Sequence, residues 1–148
     1  MKNENNMPVG INPIILNDKG EILLGRRINK YGAGTYCFPG GRLQKGETFE
    51  QCIIRELMEE TGLIIKEEDI EIINIANTID SNNDTHYLQV GAIVKKYEGI
   101  PEIKEPDKCD DLRFFSLNNL PVIFKPNSPT IELYKKHIMY DKNLNVNE

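Results

Sequence analysis

The stretch Pro39-Gly-Gly-Arg-Leu-Gln-Lys-Gly-Glu-Thr-Phe-Glu-Gln-Cys-Ile-Ile-Arg-Glu-Leu-Met-Glu-Glu-Thr-Gly-Leu63 decides the fold. It opens on a forced Gly-Gly turn, passes through a polar loop, and becomes helical at Thr48. Thr48 followed by Gln51 has the spacing of a capping box. Gly62 after Thr61 is a C-terminal stop. Between them Ile53, Ile54, Leu57 and Met58 fall on one broad face at ~100° per residue. With Glu56 at zero on the helix wheel, Glu60 stands at about +40° and Glu59 at about −60°, so the three carboxylates share a face. Cys52 lies on that face one turn earlier.

Like charges at helical spacing repel, so a solvated surface is the plain reading of any one pair. Arg55 could relieve part of the charge. The surroundings favour a second reading. A glycine turn precedes the cluster, Arg42, Lys45 and Glu47 sit in the loop, and a glycine ends the helix. Hard divalent cations such as Mg²⁺ take one or two carboxylates and complete their shell with water and substrate phosphate. Three carboxylates on one helix face suit that role.

The segment resembles the signature of the Nudix hydrolases, whose positions are filled here by Gly41, Glu47, Arg55, Glu56, Leu57, Glu59, Glu60, Gly62 and Leu63. A chance match is on the order of 10⁻⁸ per starting point, far below the usual false-positive level for short motifs. A looser resemblance runs from about Val9 to His137 through "LLGRR", "GTYCFPGG", "HYLQVGAIV" and "EPDKCDDLRFF". It implies an α/β (α+β) fold, a mixed β-sheet sandwiched between α-helices, with the signature as loop–helix–loop. It also implies hydrolysis of a diphosphate linked to another group. Glu56 and Glu60 are then the primary metal ligands, and Glu59 binds a second ion or orients water. Arg55 and Glu47 position these groups, Gly62 shapes the signature, and the Gly40 carbonyl is a further candidate ligand. The implied cofactor is Mg²⁺, with Mn²⁺ as substitute.

The pattern is most similar to the MutT-like, 8-oxo-dGTP diphosphatase-like branch. That implies a nucleoside triphosphate cleaved to the monophosphate and pyrophosphate. The alternatives are ADP-ribose, dihydroneopterin triphosphate, a prenyl diphosphate, or a catalytically silent nucleotide sensor. The intact glutamates argue against the sensor. Cys37 stands where the family often carries an aromatic or polar residue, which leaves the base preference open.

Outside the signature, Arg42 and Gly41 are candidate substrate contacts, as is Arg26. Adjacent strand residues point to opposite faces, so one of Arg26 and Arg27 at most is expected to face the substrate. Tyr31, Tyr36, Phe38 and Tyr87 are each either core or a stacking platform for a base. Glu98, Glu102 and Glu105 follow a long strand, and one of them could complete the site; the sequence does not choose. Cys52 reads as packing, and His86 and His137 as structural histidines.

The rest of the chain reads as one domain. The 148 residues, 39% hydrophobic and 28% charged, suffice for one core. "VGINPIILNDKGEILLGRR" reads as two strands about a turn at Asn17–Gly20, with Pro13 marking an edge or bulge. "IEIINIANTI", "HYLQVGAIVKKY" and "DLRFFSL" read as strands, and "SPTIELYKKHIMY" as a last helix with Ser128 capping and Pro129 at its first position. Residues 7–140 form the domain, with flexible ends at 1–6 and 141–148. The net charge of −5 argues against binding a nucleic-acid polymer. Three cysteines without metal-site spacing, and no long apolar run, point to a cytoplasmic protein away from membranes, monomer or homodimer.

Overall fold

A computed structural model of the chain describes residues 7–147; the expected flexible start at 1–6 lies outside them. Eight strands and two helices follow in chain order. β1 (Val9–Ile15) and β2 (Ile22–Arg27) flank the Asn17–Gly20 turn, where Asn17 Oδ1 accepts from the N–H groups of Lys19 and Glu21. The short β3 (Tyr36–Cys37) and β4 (Gly41–Arg42) bracket the glycine turn, and α1 (Phe49–Thr61) follows. β5 (Ile70–Asp80) and β6 (Thr85–Val94) form a long antiparallel pair; β7 (Cys109–Phe115), α2 (Ser128–Lys136) and β8 (Tyr140–Asn145) complete the chain.

The strands make two sheets rather than the single one expected. The larger is mixed, in the order β4-β1-β6-β5-β8; the smaller is antiparallel, β3-β2-β7. β1 and β2, joined by the turn, therefore enter different sheets. Alternation along them serves two layers: Ile11, Ile15 and Leu23 join a core with Ile53 and Leu57 of α1, while Ile14, Ile22 and Leu24 join a core with Ile131 of α2. The strands are thus sandwiched between the helices. Pro13 pairs in register with Ala92 of β6, and β4 reaches only Gly10 and Ile11, so at Pro13 the strand has one neighbour. That is the local edge a proline requires.

Four expectations need correction. Met58 is 46% exposed, so the apolar face of α1 is narrower than its periodicity suggests; Ile53 and Leu57 carry the burial. The last helix stops at Lys136, where His137 takes a left-handed conformation and returns its N–H to Leu133 and Tyr134. It also begins one residue earlier than read, with Asn127 at the N-cap position and Ser128 inside the helix. The tail expected to be flexible from 141 on instead continues β8 (Tyr140–Asn145), parallel to β5, from Ile75↔Tyr140 to Ile79↔Asn145. "YDKNLN" shows no apolar alternation because backbone hydrogen bonds to the open edge of β5 hold it. Among the described residues no helix is long and apolar enough to cross a membrane.

Candidate active site

The signature helix is built as its caps dictate. Thr48 and Gln51 close the capping box, and Gly62 at φ 76° sends its N–H to the Met58 carbonyl at 3.1 Å. The acidic face of α1 turns toward β4. Gly40 N–H donates to Glu60 Oε2 at 2.8 Å. A β-carbon on Gly41 would lie 2.5 Å from Glu56 Oε1, and one on Gly40 would lie 2.3 Å from the Ile11 carbonyl. The Gly-Gly pair is therefore a bare cradle: the first glycine lets the chain pass β1, and the second leaves space for a carboxylate.

Arg55 ties the loop to the helix. Its Nε and Nη2 donate to Glu47 at 2.7 and 2.9 Å, and its Nη1 donates to Glu56 at 2.8 Å. Gln44 N–H adds a bond to Glu47 at 2.8 Å. The Arg55 hydrogen bonds hold the Glu47 carboxyl down to about 2, against the cost of its desolvation. Glu60 goes the other way. Burial pushes its carboxyl up to about 8; the Gly40 N–H opposes this, and the Glu56 and Glu105 carboxylates add to it. Glu59 is the outlier, 54% exposed with a contact to Arg55 Nη1 at 3.5 Å. Among the described residues no three His, Cys, Asp or Glu side chains are grouped closely enough to hold a metal ion. Glu56 and Glu60 are brought together, and Glu59, which shares Arg55 Nη1 with Glu56, faces solvent beside them.

A cavity of about 310 Å³ opens beside Glu60, bounded by both sheets. Its lining includes the cations Arg26, Arg27, Arg42 and Lys108 and the carboxylates Glu60 and Glu105. Both strand arginines reach it, contrary to the alternation argument, because β2 shifts register against β7 between Gly25 and Arg27. Arg26 is paired with Asp110 at 2.7 Å. Arg27 stacks 4.0 Å above the Phe124 ring, and Phe124 meets Tyr31 edge-on at 5.2 Å. Arg42 lies 5.3 Å from the Tyr87 ring centroid and donates to its hydroxyl. Lys45 is exposed and stands outside the lining.

Of the three later glutamates, only Glu105 lines the cavity, where it pairs with Lys108 at 3.1 Å; Glu102 pairs with Lys104, and Glu98 bridges to Ile64 by backbone. Tyr36 and Phe38 are core, and Phe38 also lines the cavity. Cys52 is fully buried, and burial pushes its thiol up to about 12. His86 is exposed and bonds to Asn77. Sequence reasoning missed Phe124, Lys108 and the buried amides Asn12, Gln89 and Asn127 that line the cavity. Asn12 and Gln89 had left a signal, as polar residues inside otherwise apolar strands.

Clustered cations beside a partly buried carboxylate suit an anionic, phosphorylated ligand, and comparison with known proteins narrows the class. The model of the NUDIX domain matches residues 7–136, and the chain belongs to the Nudix family. It is a hydrolase acting on acid anhydrides in phosphorus-containing compounds. The ADP-ribose pyrophosphatase of Methanocaldococcus jannaschii is 31% identical over 128 residues, 86% of this chain and 73% of that protein. The 8-oxo-dGTP diphosphatase of Escherichia coli is 31% identical over 121 residues, 76% of this chain and 90% of its own length. Some relatives are longer, and the chain spans 37% of the NAD-capped RNA hydrolase of Stutzerimonas stutzeri. Among solved structures, the MutT NUDIX hydrolase of Burkholderia pseudomallei superposes with a TM-score of 0.78 at 28% identity, covering 86% of this chain and 97% of that one.

Proposed function

We propose that this chain is a cytoplasmic, divalent-metal-dependent pyrophosphohydrolase that cleaves a nucleoside triphosphate, oxidised or otherwise non-canonical bases included, to the monophosphate and pyrophosphate. The observation that carries this reading is the mixed lining of the cavity. Glu60, tied to Gly40, lines it. Phe124, Tyr31, the buried amides Asn12, Gln89 and Asn127, and basic side chains line the same cavity. Such a lining suits a ligand that carries both phosphates and a base.

The donor set fits Mg²⁺ or Mn²⁺. Glu60 is a partly buried carboxyl that makes no ion pair within 4 Å among the described residues, and Glu56 stands beside it over the bare Gly41. Hard oxygen donors of this kind suit those ions. Glu56 and Glu60 would hold the ion, with Glu59 and the Gly40 carbonyl as further donors. When bound, the ion supplies charge neutralisation on the phosphoryl oxygens and a more acidic water.

The remaining roles belong to the chain. Arg55 orients Glu56 through its 2.8 Å bond while Glu47 fixes the guanidinium. Arg26, Arg27, Arg42 and Lys108 bind and orient the phosphates. Glu105, which lines the cavity beside Lys108, would accept a proton from an attacking water. Cytoplasmic placement is supported by the three free cysteines.

A second reading, hydrolysis of ADP-ribose, is favoured by the likeness to the M. jannaschii enzyme. One screen separates the two. Nucleoside triphosphates, oxidised nucleotides and ADP-ribose are incubated with Mg²⁺, and the products identified. Pyrophosphate with a nucleoside monophosphate supports the first reading. AMP with ribose 5-phosphate supports the second, and ligand binding without turnover at any Mg²⁺ or Mn²⁺ concentration defeats both.

A further inference from the structure

We propose that Asp80 is a positioning residue: it joins Asn147, beyond β8, to Tyr31, and through Tyr31 it holds Arg27 in place for the anionic part of the ligand. The inference rests on the nucleotide reading of the cavity and concerns how that same site is held.

Asp80 ends β5, is 2% exposed, and is held by hydrogen-bond donors. Its Oδ1 accepts from the Asn82 N–H at 3.1 Å, the Asn83 N–H at 3.3 Å and Asn147 Nδ2 at 2.8 Å. Its Oδ2 accepts from the Tyr31 hydroxyl at 2.7 Å and Asn83 Nδ2 at 2.8 Å. Burying a carboxylate is costly unless its oxygens are satisfied. Here the satisfying donors come from three places: the β5–β6 turn, the tail after β8, and the loop that carries Tyr31. A carboxylate suits such a junction because both of its oxygens accept.

The loop needs that anchor. None of residues 28–34 is buried, so apolar packing does little to hold the segment. Tyr31 fixes it at both ends of its side chain, with the hydroxyl on Asp80 and the ring edge-on to Phe124 at 5.2 Å. The Tyr31 carbonyl then accepts from Arg27 Nε at 3.1 Å, and the guanidinium lies 4.0 Å above the Phe124 ring.

Both of those partners of Arg27 are uncharged, whereas Arg26 is paired with Asp110 at 2.7 Å. Arg27 is thus placed by a carbonyl and a ring, and its charge is left for an anion in the cavity it lines. Ordering a long side chain opposes association, so an arginine held in advance favours binding. Asp80 and Asn147 stand outside the cavity lining, so their effect on a ligand passes through Tyr31.

The test uses the full chain with Mg²⁺ and whichever of GTP and ADP-ribose it hydrolyses. Tyr31→Phe removes the hydroxyl and keeps the ring. Asn147→Asp sets a second carboxylate against Asp80 Oδ1, a like-charge contact far along the chain from Tyr31. Each should raise KM about threefold or more, by a larger factor than it lowers kcat. The double variant should be no worse than the stronger single one, because both cut the same link; independent effects would multiply. An unchanged KM in either folded variant, or single effects that multiply in the double variant, overturns the proposal. Calorimetry with inorganic triphosphate and Mg²⁺ needs no turnover. If the wild-type protein hydrolyses neither nucleotide, the pyrophosphohydrolase reading falls, and triphosphate binding about threefold weaker in Tyr31→Phe still upholds the role of Asp80. Equal binding by the two proteins overturns that role, and no binding by the wild-type protein overturns both.

Discussion

Gly40 N–H donates to Glu60 Oε2 at 2.8 Å, joining the glycine turn to the last turn of α1, twenty residues on in the chain. The bond places a carboxylate where burial opposes its charge. Replacing Glu60 by Gln keeps the shape and the acceptor oxygen for Gly40 but removes the charge. Pyrophosphate release at saturating Mg²⁺ should fall by roughly 10²- to 10⁴-fold, because a ligand lost from an ion that stabilises transition-state charge is worth several kcal/mol. The melting temperature should stay at or above the wild-type value. Turnover within tenfold of wild type would remove Glu60 from the set of metal ligands.

The same carboxyl gives a pH signature in the absence of divalent cations. Burial raises its pKa in the folded state from its ordinary value of 4.5 to about 8. Between those values the folded state holds a proton that the unfolded state has released. Stability therefore declines as pH rises across that window, by the linkage between proton binding and folding. Thermal melts in chelator from pH 5 to 9 should show the decline, Mg²⁺ should reverse it, and Glu60→Gln should flatten it. A wild-type melting curve that rises across the window would refute the assignment.

Much of this was legible in the sequence, where local rules and the fold agree. The capping box, the stop at Gly62 and the strand runs are set by nearby residues, and the structure keeps them. Long-range pairing was not. Nothing local in "ILNDKGEIL" tells that its two strands enter different sheets. The bulge that brings both Arg26 and Arg27 to the cavity depends on the register of β7, more than eighty residues on. Phe124 reaches the cavity from a loop with no periodicity to read. The choice of Glu105 over Glu98 and Glu102 rests on how their loop folds back over α1, where Lys104 N–H meets the Glu60 carbonyl. Glu59 sits on the correct face of the wheel, yet it stays in solvent while Glu56 and Glu60 turn inward, because wheel angle says nothing of how far a face is buried.

Arg55 spans Glu47 and Glu56 with a fork that lysine cannot reproduce. Arg55→Lys should lower stability by about 1–3 kcal/mol, the usual loss for charge-assisted bonds in a partly buried site. It should also lower kcat more than it raises KM, since Glu56 loses its orientation. The acid limb should change as well. Glu47 is held down to about 2 in the folded state, so its contribution is present above its ordinary value of 4.5 and is lost as pH falls toward 2. Urea titrations between pH 2 and 6 should show a shallower acid loss in Arg55→Lys. An identical acid limb in both proteins would show that Arg55 does not hold Glu47.

The two signature glycines should fail in different ways when given a methyl group. A β-carbon on Gly41 would meet the Glu56 carboxylate, whose Oε1 is 2.5 Å away and sits on a side chain able to move. Gly41→Ala should therefore fold with a melting temperature near wild type while displacing Glu56, and its activity should need several-fold more Mg²⁺ to reach half-maximum. A β-carbon on Gly40 would instead meet the Ile11 carbonyl at 2.3 Å, and Gly40 holds φ 155°. Backbone cannot step aside as a side chain does, so Gly40→Ala should lose stability by about 2 kcal/mol or more, the scale of strain at a position reserved for glycine. Paired melts and Mg²⁺ titrations of the two variants check this. If Gly41→Ala loses stability as Gly40→Ala does while its Mg²⁺ requirement is unchanged, the cradle is a packing feature and Glu56 is not held there to bind an ion.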